Sequence, residues 1–239
     1  MNSPSFNPYA SSPVFTTPLE TRTDFVRKTY WHLAGAIVAF AILEALLLAV
    51  VPAQAVFSLL AVSPYSWLAV LGAFMGVSWL ANKWAYGGAT PGMQYAGLSL
   101  YVLAESVIFL PMMMLAIRMD NGAIGKAVVV TGGMVLGLTC IAFTTRKDFT
   151  FLGGFIKIGC FVAFALIVAS IFMPGFLGGG LSLWFSIAMV VLVSGMILYQ
   201  TSQIMYHYAP GQHVAAALSL FASVATLFWY VLRIFMRRN

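Results

Sequence analysis

Long apolar stretches separated by short polar breaks run along most of this chain. Seven are long enough, or nearly so, to cross a bilayer, because about 20 residues at 1.5 Å each span about 30 Å of hydrocarbon. They are Thr29–Val51, Tyr65–Ala81, Tyr95–Ile117, Ala123–Phe143, Phe151–Met173, Leu181–Tyr199 and Val214–Phe235. The runs do not alternate apolar with polar residues, as the strands of a membrane barrel would, so the pattern predicts helices.

The breaks between these stretches are short and carry turn residues, such as Asp120-Asn121-Gly122 and Pro210-Gly211. Short connections make sequence neighbours antiparallel neighbours in space. We therefore expect an all-α membrane protein, a bundle of seven transmembrane helices. Two GxxxG pairs, Gly72–Gly76 and Gly133–Gly137, are interpreted as helix contacts, and Cys140 and Cys160 as small buried hydrophobic residues.

The first 24 residues lack an apolar core of the kind a signal peptide has. They hold prolines at positions 4, 8, 13 and 18 among Ser, Thr and Asn. This pattern predicts a disordered tail over 1–24, followed by one transmembrane domain over 25–239. The first helix would then act as an uncleaved anchor.

Composition supports a membrane protein, since 62% of the residues are hydrophobic and 8% are charged, against about a quarter charged in soluble domains. The net charge of +6 is spread over loops and ends. Lys and Arg do not cluster among stacking aromatics, which argues against nucleic-acid binding. Three basic residues before the first helix favour a cytoplasmic N-terminus, whereas the basic C-terminus conflicts with an odd number of spans. The short chain and the lack of a glycosylation pattern favour a bacterial inner membrane.

Three charged residues interrupt the apolar stretches: Glu44, Glu105 and Lys157. A charge in the bilayer core costs about 2.5–3.5 kcal/mol, so each requires a reason. Each Glu is interpreted either as a protonated core acid or as a titrating group on an ion or proton path. Lys157 either extends to the interface or pairs with Glu105. A pair is possible because Lys157 lies about 9 Å, and Glu105 about 15 Å, into helices that run in parallel.

Enzyme chemistry finds little support. His207 and His213 have no third ligand nearby for zinc, and His32 is interpreted as structural. Ser194, followed by Gly195, lacks an upstream Gly at the spacing of a protease motif, and no His lies in the last predicted span. We expect no catalytic residue, no metal and no cofactor.

Three stretches together resemble the Bax inhibitor-1-like, or transmembrane Bax inhibitor motif, family: 25–30, 144–155 and 197–204, supported by 217–220 and 227–228. The resemblance covers about residues 25 to 236. Its most specific residues are Arg146, Lys147, Asp148, Phe149, Phe151, Leu152, Gly153 and Gly154. The resemblance implies seven helices with the last one central, a cation leak, chiefly of calcium, and a role in cell-death or stress control; for this chain the ion would be calcium or protons. It also implies, for bacterial members, regulation of a membrane-bound ATP-dependent protease. From the residues alone, Asp148 is interpreted as a cap of the fifth helix.

This chain differs from the family that it resembles at two positions, where the family has aspartates that share a proton. The family carries one aspartate at the end of the sixth helix and one within the seventh, near a basic residue of the second. Here Gln200 and Ser223 fall at the acid positions, and Asn82 or Lys83 at the basic one. We expect Gln200 and Ser223 to form a neutral hydrogen-bonded pair without titration near pH 7. Two functions stay open: an ion leak through other groups, or a non-conducting regulator of a membrane protein.

Overall fold

The computed structural model describes residues 19–63, 66–86, 90–120, 122–145, 147–173, 179–209 and 211–237. Within these ranges every regular element is an α-helix, which confirms the expected all-helical class. The eight helices are α1 (Leu19–Val50), α2 (Ala53–Ala61), α3 (Ser66–Tyr86), α4 (Pro91–Met119), α5 (Ala123–Thr145), α6 (Leu152–Phe172), α7 (Gly179–Tyr206) and α8 (His213–Arg237).

Six helices in the described ranges are long and apolar enough to cross a membrane: α1 and α4 to α8. Helices α2 and α3 meet this standard only together, and they are bent by 104° relative to each other. The fold therefore has six candidate spans, or seven if the bent pair counts as one. Helix α3 corresponds to the second predicted span, whereas α2 was not predicted. Pro52 ends the first apolar run, and the nine-residue helix after it is too short to be a span.

Helix α1 starts earlier than the predicted first span and includes residues 19–24, which the sequence analysis assigned to the tail. Asp24 holds this first part by ion pairs with Arg27 at 2.8 Å and Lys28 at 2.7 Å. Such pairs three and four residues apart support an exposed helix without adding apolar residues, so hydropathy alone misses the extension. The predicted disorder of residues 1–18 lies outside the described residues.

Helix α8 packs against α1, α3, α4, α5 and α7. In its most apolar window 72% of the residues are buried, against 11% in α6, which packs mainly on α7. The side chains of Phe221, Leu227 and Leu232 are almost completely inaccessible. Helix α8 is therefore the most buried of the six candidate spans, and α6 is the least buried.

Helices α3 and α4 approach each other closely at Gly97. A Cβ atom there would lie 2.7 Å from the carbonyl oxygen of Ala81 and 3.1 Å from the amide nitrogen of Ala85. Both alanines are buried. Glycine at this position therefore allows two backbones to touch.

The predicted packing role of the two GxxxG pairs is wrong. A Cβ atom would meet nothing within 4 Å at any of Gly72, Gly76, Gly133 and Gly137. The spacing places two glycines on one helix face but does not determine whether another helix faces them. The cysteines differ from expectation for the same reason, since Cys140 is exposed and Cys160 only half-buried.

Candidate functional site

Glu44 lies on α1 in the wall of a cavity of about 520 Å³ between α1, α4, α5 and α8. Its side chain is 4% exposed, and neither carboxyl oxygen has a hydrogen-bond partner among the described residues. The rings of Phe40, Phe221 and Phe228 form much of the same wall. The sequence-predicted acid is therefore buried beside an apolar space.

Thr131 of α5 lines the same cavity. Helical threonines commonly donate to the carbonyl four residues earlier, as Thr29 and Thr226 do at 3.0 Å and 2.8 Å. The buried Thr131 hydroxyl makes no hydrogen bond within the ranges that the structure describes. Thr131 was not predicted as a site residue, because a threonine in an apolar helix is common and carries no signal of its own.

Glu105 of α4 is also buried, at 5% exposure, but it does not line the cavity beside Glu44. Its Oε2 atom has no hydrogen-bond partner in the described parts of the chain. The structure thus places the two acids in separate surroundings rather than in one site.

The predicted ion pair between Glu105 and Lys157 is wrong. Lys157 is exposed on α6, and no ion pair within 4.0 Å joins the two side chains, both of which the structure describes. The position of each residue along its helix predicts its depth in the bilayer, but it does not predict the direction in which the side chain points. An exposed Lys157 matches the alternative in which its side chain extends towards the interface.

Gln200 and Ser223 lie on α7 and α8, which pack together. The Oε1 atom of Gln200 is buried without a partner among the described residues, and Ser223 is 3% exposed. The hydrogen bond expected between them is absent from this described part of the bundle. Both positions are neutral; Ser223 is buried and Gln200 is half-buried.

The two candidates for the basic partner make other contacts. The Asn82 amide donates to the carbonyl of Ser78 at 2.7 Å, on its own helix. The Lys83 ammonium is exposed and lies 5.1 Å from the centre of the Trp79 ring, a cation–π distance. These contacts keep both side chains on α3 rather than at Gln200 or Ser223.

Asp148 joins the connection between α5 and α6 to the end of α7. Its Oδ1 accepts hydrogen bonds from the Thr150 amide at 2.9 Å, from the Ser202 hydroxyl at 3.0 Å and from the Thr150 hydroxyl. Its Oδ2 lies 3.6 Å from Nε2 of His207. The hydrogen bonds from Thr150, then from Ser202, and the nearby His207 hold the pKa of Asp148 below its ordinary value.

The predicted capping role of Asp148 is wrong, because Phe151 occupies the N-cap position of α6 and makes no side-chain cap. Asp148 instead forms a turn with the backbone two residues ahead, as Asp side chains in loops commonly do. The amide of Phe149 donates to the Ser202 hydroxyl at 3.0 Å, which adds a second tie between this loop and α7.

The rest of the motif packs α6 onto α7 or faces outward. A Cβ atom on Gly153 would lie 3.0 Å from Cε2 of Tyr199 on α7, whereas Gly154 has nothing within 4 Å. Leu152 starts α6, and the Phe149 and Phe151 rings are 6.4 Å apart. Lys147 is exposed, and Arg146 lies outside the described residues.

His32 is held between α1, α4 and α8. Its Nδ1 lies 2.6 Å from the carbonyl oxygen of Lys28, and its Nε2 lies 3.0 Å from the Tyr95 hydroxyl. Its ring centre is 5.0 Å from that of His213. Among the described residues no group of three His, Cys, Asp or Glu side chains is placed to hold a metal ion.

Comparison with known proteins identifies the family. Residues 22–239 match the family model described as "Inhibitor of apoptosis-promoting Bax1". The chain belongs to this Bax inhibitor family. It is 26% identical over 232 residues to an uncharacterized protein of Neisseria meningitidis, which covers 94% of this chain and 96% of that protein.

Two shorter alignments have higher identity. An uncharacterized protein of Pseudomonas aeruginosa is 38% identical over 127 residues, which is 52% of this chain and 55% of that protein. The "Modulator of FtsH protease YccA" of Escherichia coli is 35% identical over 109 residues, 42% of this chain and 48% of that protein. The chain thus spans about half the length of these two relatives.

Proposed function

We propose that this chain is a multi-spanning protein of a bacterial inner membrane that regulates a membrane-bound, ATP-dependent protease of the FtsH type without conducting ions or catalysing a reaction. In this proposal the bent α2–α3 pair forms one span, so that the bundle has seven spans, with α8 the central one. The similarity to a modulator of FtsH protease, and to a relative named as an inner membrane protein, supports the partner and the location.

The observation that carries the non-conducting part is the neutrality of the positions where the resembled family pattern has acids. Half-buried Gln200 of α7 and buried Ser223 of α8 lie on helices that pack together, and neither offers a titrating group. The surrounding α8 residues Phe221 and Leu227 are buried and apolar. An ion in such a path would lose its hydration without gaining ligands, which is unfavourable.

A leak of calcium or protons is the second candidate. It is favoured by Glu44 and Glu105, two buried carboxyl groups with oxygens that lack a protein partner in the described ranges. A carboxyl group inside a membrane bundle is a common element of proton and cation paths. Asn82, Lys83 and Lys157 would then contribute only at the ends of such a path.

The regulator proposal is tested by reconstitution with an FtsH-type protease. The protease is placed in liposomes with a membrane-protein substrate, with and without this chain, and substrate degradation is followed over time. We expect the chain to slow degradation while ATP hydrolysis by the protease continues. Unchanged degradation at a molar excess of the chain would contradict the proposal.

The non-conducting part is tested by calcium and proton flux in liposomes that contain the chain alone. We expect no flux between pH 6 and pH 8 above empty liposomes, because no paired acids titrate there. The double variant Gln200→Asp with Ser223→Asp is expected to acquire an acid-sensitive flux. Flux through the unaltered chain that disappears in Glu44→Gln or Glu105→Gln would instead support the leak.

A further inference from the structure

The cavity beside Glu44 has the size and the lining of a ligand site. Its volume of about 520 Å³ falls within the roughly 300–1,000 Å³ of small-molecule pockets. Phe40, Phe221 and Phe228 supply aromatic walls. Glu44 and Thr131 are the polar residues among those that line it. We call this space the Glu44 cavity.

The Glu44 cavity contains unpaired polar atoms in its wall. Both Glu44 carboxyl oxygens and the Thr131 hydroxyl are buried without a hydrogen-bond partner among the described residues. Unpaired buried polar groups are unfavourable and uncommon in native proteins. Two such residues in the wall of one cavity indicate that a ligand group completes their hydrogen bonds.

The cavity is lined by exposed residues of both α1 and α5. They are Ile37 of α1, at 37%, and Val128 and Leu136 of α5, at 55% and 68%. Because these helices are candidate spans, the exposed edge between them would face lipid. Glu44 lies six residues before the end of α1, about 9 Å, and Thr131 eight residues after the start of α5, about 12 Å. A ligand therefore enters from the bilayer, and its polar group binds about 9–12 Å below the helix ends.

We propose that the Glu44 cavity binds an uncharged lipophilic alcohol from the bilayer, with its hydroxyl between Glu44 and Thr131 and its hydrocarbon against the three phenyl rings. The site is independent of the proposed protease partner. It assigns to Glu44 a role in recognising a membrane ligand rather than in passing an ion.

A hydroxyl fits this lining better than other groups. It can donate to a Glu44 oxygen and accept from the Thr131 hydroxyl, whichever protonation state Glu44 has. An ammonium group can only donate, so it cannot accept from the Thr131 hydroxyl, and it brings a charge into an apolar space. A plain hydrocarbon fills the volume but leaves all three oxygens unpaired.

Photolabelling of the full chain in liposomes tests the proposal. The probe is dodecanol that carries a diazirine on its chain, and the labelled peptides are identified by mass spectrometry. We expect labels on the parts of α1, α5 and α8 that line the cavity. Unlabelled dodecanol should compete at about tenfold lower bilayer concentration than dodecane, since one well-made hydrogen bond gives roughly that ratio.

The double variant Glu44→Leu with Thr131→Val tests whether the polar wall causes this preference. We expect dodecanol and dodecane to compete equally in it, while a dodecane probe with the same diazirine still labels the cavity and so reports that the fold is intact. Should the double variant not fold, Thr131→Val alone is expected to reduce the preference. The matched control is Thr226→Val on α8, which does not line the cavity and should keep the full preference.

Three results would overturn the proposal. The first is equal competition by dodecanol and dodecane in the unaltered chain. The second is labelling confined to other parts of the surface. The third is a preference that survives the double variant. Stronger competition by dodecylamine than by dodecanol, lost in Glu44→Gln, would also overturn it and would identify a cation site instead.

Discussion

At the scale of single residues, Asp148 is the clearest tie between parts of the fold outside the spans. It accepts hydrogen bonds from Thr150 and Ser202 and lies beside His207, so one carboxylate joins the α5–α6 loop to the end of α7. These contacts favour the charged form, which is why the pKa of Asp148 is lowered. The position of the loop between α5 and α6 therefore depends on the negative charge of Asp148.

The Asp148→Asn variant tests this dependence on charge. A group whose pKa is lower in the folded state stabilises that state above its unfolded pKa, and this contribution is lost as pH falls through the folded value. The unaltered protein should therefore lose thermal stability below about pH 4, and Asp148→Asn should lose less over the same range. At pH 7 the variant should cost less than about 1 kcal/mol, because the site is exposed.

Thermal unfolding in detergent between pH 7 and pH 3 measures the effect of this substitution. Glu20→Gln is the matched control, since it removes one exposed negative charge from the first turn of α1. If both variants follow the same pH curve as the unaltered protein, the tie through Asp148 does not contribute to stability.

The sequence predicted residues of the candidate site only where a charged side chain stands in an apolar run, because burying a charge in lipid is unfavourable. Glu44 and Glu105 stand out in apolar runs, and both are buried. Lys157 gave the same signal and is exposed, because a long side chain can leave the core without a partner. Thr131 gave no signal, since only the three-dimensional position of its hydroxyl marks it.

At the scale of elements, close helix contacts depend on which face meets a neighbour. Gly97 lies where α4 touches the backbone of α3, although it belongs to no GxxxG pair. The four glycines of the Gly72–Gly76 and Gly133–Gly137 pairs have open space beside them. Hydropathy thus predicted most spans, whereas the contacts between them, and the bend between α2 and α3, required the coordinates.

The Gly97→Ala variant should destabilise the α3–α4 pair. Its Cβ would be 2.7 Å from a backbone oxygen, so the helices must separate, at a cost of about 1–3 kcal/mol by the usual penalty for overpacking. Gly133→Ala is the matched control and should be neutral or slightly stabilising, because alanine favours helix and has space there. Unfolding in mixed detergent micelles compares the two. Equal stability would show that α3 and α4 are not in close contact.

At the scale of the whole molecule, the more apolar helix is the one at the periphery. The mean hydropathy of the best window is 2.5 in α6 and 1.9 in α8, yet α6 is largely exposed and α8 largely buried. This order is expected in lipid, where apolar side chains gain little by turning inward and association depends on packing. Mean hydropathy therefore identifies spans but does not identify the most buried one.

The contrast between Phe221 and Phe155 tests this arrangement of the bundle. Phe221 of α8 is 1% exposed and packs against the rings of Phe40 and Tyr101 at 5.9 Å and 6.1 Å. Phe155 of α6 is 69% exposed.

Phe221→Ala should lower the free energy of unfolding by about 2 kcal/mol or more. This is less than a soluble core would lose, because lipid is also apolar and only the packing is removed. Phe155→Ala should change it by less than about 0.5 kcal/mol. Unfolding in detergent measures both, and an equal loss in the two variants would place α6 in the core and contradict the peripheral position of this helix.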